Sequence, residues 1–501
     1  MIVTTEGGAL SGVGSGVDGV TVFRGIPYAA DTAGENRWRA PQPPPAWSGV
    51  RVADRFGDAC LQTARGGLSQ PMSEDCLSLN VWTPATAADA ALPVLVWIYG
   101  GRFVFGAGSE PMYDGSALAS RGLVVVTVNY RLGVFGFLAT RELSAESGHG
   151  ASGNYGLLDQ RAALQWVQRN IAAFGGDPAK VTIAGQSAGA ASVLDHVYSP
   201  LSAGLFRGAI AQSGALHPGD TNLGHLAGSY RTLADAERDG EQYLSAHGVE
   251  TVADARRLDA AELLRGGDAD QPGPGHPRPP LFRPVQDGWM LPHTYAQTLA
   301  RGAQNDVPIL TGTNLDEDGA TPHPQVTLAQ FRERARAAYG DRAEEFLALY
   351  PAHDDETAAA ASNQAARDHS RVSTHLWTQE WARHASSPVH TYFWTHPAPG
   401  PDADARGAFH GSEIPYFLHS LDHVDRPWTD ADRAIADAMS GYIGRFVATG
   451  DPNGGAAEGW DAADHRPLTM ELGARCGPIP VAEPARHAFH RSVLESNPEP
   501  K

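Results

Sequence analysis

Residues 92–99, Leu-Pro-Val-Leu-Val-Trp-Ile-Tyr, form an almost unbroken apolar run rich in strand-forming side chains, and the run ends at Gly100-Gly101. A strand with one face in water alternates apolar and polar side chains. An unbroken run needs cover on both faces, which is the condition inside a parallel sheet. Residues 122–130 repeat the pattern. Next, Leu157, Leu164, Val167, Ile171 and Phe174 follow helical spacing, and Gly175-Gly176-Asp177-Pro178 supplies a stop. Residues 181–184 predict a short strand and residues 188 to 198 a helix, with further strands at 208–212, 307–311 and 389–394. The stripe Ile435, Met439, Tyr442, Ile443, Phe446 and Val447 predicts a helix packed on the sheet and ended by Gly450. Strands alternating with helices imply an α/β fold with a large, mostly parallel central sheet covered by helices on both faces.

The 501 residues would serve two or three average domains, but no repeat or linker divides them. A single domain over 1–501 is expected, with irregular insertions around 219–283 and 319–380. Inside the first, residues 266–284 are rich in Gly, Pro and Asp, include His276, and predict a long irregular loop. Gly14-Ser15-Gly16-Val17-Asp18-Gly19 fits a dinucleotide-binding pattern but precedes a strand rather than opening a helix, so it predicts a hairpin turn. His390 and His396 flank an aromatic strand at a spacing unsuited to a shared metal and are expected to be structural.

A formal charge of −19 repels phosphate backbones, and no basic, aromatic-interleaved stretch offers a platform for nucleic acid. The longest apolar runs fall far short of the ~18 residues of a spanning helix, so no membrane partner is expected. Residues 1–7 hold no basic residue and open no apolar export segment, which makes the expected location cytoplasmic. Three cysteines, Cys60, Cys76 and Cys476, are too few for a disulfide scaffold and lack the paired spacing of a zinc site. Neither metal nor cofactor is expected. Cys60 and Cys76 could close a short loop, and the residues alone leave the bridged and free states both open. No feature points to an oligomeric state.

Gly185-Gln186-Ser187-Ala188-Gly189 is the one G-x-S-x-G in the chain, and it lies between a predicted strand and a predicted helix. In that setting the flanking glycines leave room for a sharply turned backbone that exposes the serine. A serine hydroxyl is a weak nucleophile until an imidazole takes its proton and a carboxylate fixes the tautomer of that imidazole. On this kind of fold the chain order is serine, acid, histidine. Twenty histidines are available, and periodicity does not choose among them.

Several stretches together resemble the type-B carboxylesterase family of α/β-hydrolases. They are Phe23-Arg24-Gly25-Ile26-Pro27-Tyr28-Ala29, Glu74-Asp75-Cys76-Leu77-Ser78-Leu79-Asn80-Val81, Asn129-Tyr130-Arg131-Leu132-Gly133, Phe174-Gly175-Gly176-Asp177-Pro178 and Gln212-Ser213-Gly214. Gly312-Thr313-Asn314-Leu315-Asp316-Glu317 resembles the family's acid segment and implies Glu317 as the acid. The next residue is Asp318 where the family has glycine, so Asp318 is the alternative. Ala408-Phe409-His410-Gly411-Ser412-Glu413 resembles the histidine segment and implies His410 as the base.

Tyr99-Gly100-Gly101-Arg102-Phe103 stands where the family has a third glycine. The resemblance implies an oxyanion hole from the N–H groups of Gly101, Arg102 and Ala188, with the Arg102 side chain either favouring anionic substrates or paired to a nearby acid. Gln186 replaces a family glutamate; its side chain is expected to point away from substrate and to alter only the local hydrogen-bond network. Ser213 is expected behind the triad. The resemblance also matches Cys60 and Cys76 to a family disulfide. The implied activity is two-step hydrolysis of a small-molecule carboxylic ester through an acyl-enzyme on Ser187. The alternatives are an inactive binding module on the same fold, or cleavage of an amide, carbamate or lactone.

Overall fold

The computed structural model describes residues 1–63, 70–220, 230–271, 278–454, 459–463 and 465–497. His276 lies outside the described residues. Side chains 94–98 are each at most 1% exposed, so this unbroken apolar run is covered on both faces. It forms the strand Leu92–Ile98 at the middle of an 11-stranded sheet. On one side follow Gly176–Gln186, Gly208–Gln212, Ile309–Asn314, Val389–Trp394, Leu468–Leu472 and Gly477–Pro480. On the other lie Val124–Val128, Ser78–Thr83, Thr21–Pro27 and Val13–Gly14. All pairings from Val124–Val128 through Leu468–Leu472 are parallel, and those at the flanks are antiparallel. The sheet is therefore mixed, with a parallel centre.

Several strand boundaries differ from expectation. The strand predicted over 181–184 begins at Gly176, with a register shift against its neighbour between Gly176 and Val181. Gly175, at φ +80, ends the preceding 3-10 turn, and the chain re-enters the sheet at once. The strand predicted over 307–311 runs instead from Ile309 to Asn314 and carries the chain directly to the acid segment. Residues 13–27 form the expected hairpin, with Val13–Gly14 antiparallel to Thr21–Pro27.

Among the described residues, both spans expected as insertions hold helices. The first contains the helix Leu233–Ala246, and the second contains Leu328–Tyr339, Ala343–Leu349 and the 28-residue Asp355–Ala382. The long helix begins at a capping box in which Asp354 and Thr357 satisfy each other's backbone N–H. Its buried face starts with Ala358, Ala361 and Ala365, small side chains that leave almost no apolar stripe in the sequence. Within 266–284 the described residues make no helix; Asp270 and Pro280 form an isolated antiparallel bridge.

Cys60 and Cys76 are joined in a disulfide. No helix among the described residues is long and apolar enough to cross a membrane.

Backbone packs closely around Gly185 and Gly189. A methyl on Gly189 would lie 2.1 Å from the Ile98 carbonyl oxygen, and one on Gly185 would lie 2.5 Å from Gly189 and 2.6 Å from that same oxygen. Overpacking of this kind, against backbone that has nowhere to move, costs about 3 kcal/mol or more. Gly189→Ala is expected to lower the thermal unfolding midpoint by several degrees or to prevent soluble expression; an unchanged melt would contradict this packing.

Candidate active site

Ser187 sits where Gly176–Gln186 turns into the helix Ala188–Tyr198, with φ 59° and ψ −122°. Such a conformation costs a non-glycine residue of order 1–3 kcal/mol and persists only where neighbours impose it. Here the Ser187 N–H donates to the Gln212 carbonyl at 2.9 Å, and its own carbonyl accepts from Ala191 N at 2.9 Å. The two flanking glycines allow strand and helix to close on each other. Among the described residues the N–H of Ala188 meets no protein acceptor, as expected for the first turn of a helix.

The Gly100–Phe105 turn lies against the serine: a methyl on Gly100 would fall 2.4 Å from Gln186 O and 3.3 Å from Ser187 Cβ. Gly101, Arg102 and Phe103 all have positive φ, at 109°, 58° and 64°. The N–H groups of Gly101 and Arg102, like that of Ala188, have no protein acceptor among the described residues. The Asn129-Tyr130-Arg131-Leu132-Gly133 stretch props this turn. Tyr130 stacks on Tyr99 at 4.5 Å and donates its hydroxyl to Tyr99 O at 2.8 Å, while Gly133 N donates to Phe103 O at 2.7 Å. Arg131 is tied in turn to buried Asp159. The Arg102 side chain turns aside to pair with Asp270 at 2.5 Å and to donate to Arg278 O at 2.8 Å. Of the two expectations for Arg102, the ion pair is the one the geometry displays.

The acidic triplet is resolved residue by residue. Glu317 reaches His410, its Oε2 lying 2.6 Å from Nδ1. Its other oxygen accepts from Asn314 N at 2.6 Å and from Ser213 Oγ at 3.0 Å. Asp318, at φ 55°, instead accepts from Ser370 Oγ at 3.0 Å, and Asp316 accepts from Arg367 at 2.7 Å.

With Nδ1 turned to Glu317, Nε2 of His410 is the free lone pair, and the Gln186 side-chain amide donates to it at 3.1 Å. Gln186 thus differs from its expectation: it touches the imidazole itself. The residue adjoining Ser187 and the ring of His410 are in contact, and among the described residues no hydrogen bond joins the Ser187 hydroxyl to the ring.

Glu413 was not singled out by the sequence reading, although it is an acid standing directly before the apolar Ile414–Phe417 helix. It is fully buried; Asn314 Nδ2 donates to its Oε2 at 2.5 Å, and Oε1 has no partner among the described residues. Burial, reinforced by the negative charge of Glu317, raises its pKa to about 7. The His410 ring feels opposing influences. Partial burial disfavours its charged form, but the hydrogen bond and charge of Glu317, together with the charges of Glu413 and Asp318, outweigh this and raise its pKa above the usual 6.5.

His390 is buried against Phe446 and Trp460, and His396 bonds Asp432 at 2.8 Å; neither belongs to the site. No cluster of three or more His, Cys, Asp or Glu suited to a metal ion occurs among the described residues.

A parallel-centred sheet with a serine on the turn after one of its central strands defines an α/β-hydrolase. The sequence profile described as "Carboxylesterase family" matches residues 1–477, and the chain belongs to that family. It is 38% identical over 493 residues to "Fumonisin B1 esterase" of Sphingopyxis macrogoltabida, covering 94% of this chain and 86% of that one. It is 34% identical over 481 residues to "Para-nitrobenzyl esterase" of Bacillus subtilis (strain 168), covering 90% of each. "Acylcarnitine hydrolase" of Mus musculus is 34% identical over 491 residues, covering 91% of this chain and 83% of that one. The protein is a carboxylic ester hydrolase.

Glu413→Gln is expected to shift the acid limb of kcat/KM to lower pH. A negative charge near an imidazole raises its pKa, so removing that charge lowers the pH at which His410 becomes neutral. A pH–rate profile on a p-nitrophenyl ester checks this, and an unmoved limb would show that the Glu413 charge does not reach the ring.

Proposed function

We propose that the protein hydrolyses small-molecule carboxylic esters in two steps, with Ser187 as nucleophile, His410 as base and Glu317 as the acid that orients it. The carrying observation is the 2.6 Å contact between Glu317 Oε2 and His410 Nδ1, made between residues 93 positions apart. That contact keeps the proton on Nδ1 and leaves Nε2 to accept one. Nε2 exchanges the Gln186 amide for the Ser187 hydroxyl when substrate enters, since such hydrogen bonds often form only in the loaded site.

Ser187 Oγ attacks the ester carbonyl while its proton passes to His410 Nε2. The negative oxygen that develops is held by the N–H groups of Gly101, Arg102 and Ala188, which have no internal acceptor and stand beside the serine. His410 then protonates the departing alkoxide, leaving an acyl-enzyme. Water, losing its proton to the same nitrogen, attacks the acyl carbon, and His410 returns that proton to the Ser187 oxygen as the acid departs. The Arg102 guanidinium, drawn off to Asp270, leaves its backbone N–H available without filling the turn. Active chemistry of this kind sets the chain apart from a binding module that merely shares the fold.

Wild-type protein is expected to release p-nitrophenol from short acyl esters and to gain the mass of one fluorophosphonate. Ser187→Ala should lose turnover by on the order of 10⁶-fold and take up no probe. Full turnover in Ser187→Ala, measured with the purified variant, would end the proposal.

A further inference from the structure

We propose that Asp316 and Arg367 are positioning residues that hold the Glu317 loop in register with the His410 loop. The inference rests on the Ser187, Glu317, His410 reading above and extends it to residues that touch neither substrate nor the reacting atoms.

Glu317 follows the end of Ile309–Asn314, and His410 lies on a loop beyond the end of the neighbouring strand Val389–Trp394. Adjacent parallel strands diverge once their ladder ends, so something past the sheet must fix one loop against the other. Asp316 does so with both backbone and side chain. Its N–H donates to Ala408 O at 3.1 Å, and it forms an isolated parallel bridge with Phe409. Its carboxylate Oδ2 accepts from Ala408 N at 2.9 Å. Asn314 adds a third link, donating to Phe409 O at 2.8 Å. The residues flanking this tie, Glu317 and His410, are the two that meet.

The carboxylate is 4% exposed and would be costly to bury without a cation. Arg367, on the long helix Asp355–Ala382, supplies one. Its Nη2 donates to Asp316 Oδ1 at 2.7 Å and its Nε donates to Leu315 O at 3.0 Å, so one guanidinium grips both the carboxylate and the backbone of the acid loop. Gly407 makes room for the arrangement. At φ +59°, it would place a methyl 2.1 Å from Asp316 Oδ2. The helix, the acid loop and the histidine loop are thereby joined through one carboxylate, and the short Glu317–His410 contact inherits its geometry from that junction.

The test uses the full-length chain and counts active sites by fluorophosphonate titration, so that rates are expressed per competent serine. Asp316→Ala should lower kcat per site by 10-fold to 100-fold with KM within about twofold, because misplacing reacting groups by about 1 Å costs on the order of 10². The acid limb of kcat should also move to lower pH. His410 is faced by Glu317, Glu413 and Asp318, and loosening the Glu317 hydrogen bond removes an influence that raises its pKa. Arg367 is partly exposed, so Arg367→Gln should fold even where Asp316→Ala does not, and should show the same two changes in smaller measure. Arg367→Lys, which keeps charge but not the two-point grip, should fall between Arg367→Gln and wild type.

Wild-type kcat per site and an unmoved acid limb in Asp316→Ala or Arg367→Gln, with Ser187→Ala and Glu317→Gln inactive, would overturn the positioning role alone. Full activity in Glu317→Gln would instead remove the reading on which it rests.

Discussion

The backbone at Ser187 is bent into a conformation that an isolated chain would leave. It is held there from three sides: a hydrogen bond from its N–H to Gln212, the start of a helix behind it, and two glycines that let strand and helix touch the edge of Leu92–Ile98. The central sheet is what makes this possible. Its parallel strands end together, so the turns that follow Leu92–Ile98, Gly176–Gln186, Ile309–Asn314 and Val389–Trp394 emerge on one rim. The rim collects the candidate side chains without any of the four segments being near another in sequence.

Electrostatics on that rim are set by the acids gathered around one imidazole. Glu317 and Glu413 are both buried near it, and both pKa values rise: burial pushes Glu413 up to about 7, which favours its neutral form, while the acids lift His410 above its ordinary value despite its own burial, which favours its charged form. The neighbouring acids have other partners, although the charge of Asp318 still helps to lift His410. Asp316 takes Arg367 and Asp318 takes Ser370. Three consecutive acids thus point three ways, and only the middle one meets the ring.

Arg102 illustrates how a departure from a familiar pattern is absorbed. A third glycine would adopt positive φ freely, whereas arginine at φ 58° is strained. The guanidinium is anchored outside the turn by Asp270 and Arg278 O, contacts that fasten those two residues to it. Gln186 is the counterpart on the other side: lacking a charge, it occupies the free nitrogen of His410 as a neutral donor.

What the sequence determined by itself was whatever local pattern encodes. Unbroken apolar runs fixed which strands lie inside a sheet covered on both faces, paired glycines marked the turn at Ser187, and motif resemblance named Glu317 and His410. Strand ends were legible only to within a few residues, because Gly175 ends one element while Gly176 begins the next. The long helix Asp355–Ala382 stayed hidden because its buried face opens with alanines rather than a stripe of large side chains. Three matters were decided by tertiary structure alone: the burial of Glu413, the contact of Gln186 with the ring, and the grip of Arg367 on Asp316. Each depends on groups from distant segments sharing one small volume, and a charge's partner and its exclusion from water are properties of that volume, which no local run of residues contains.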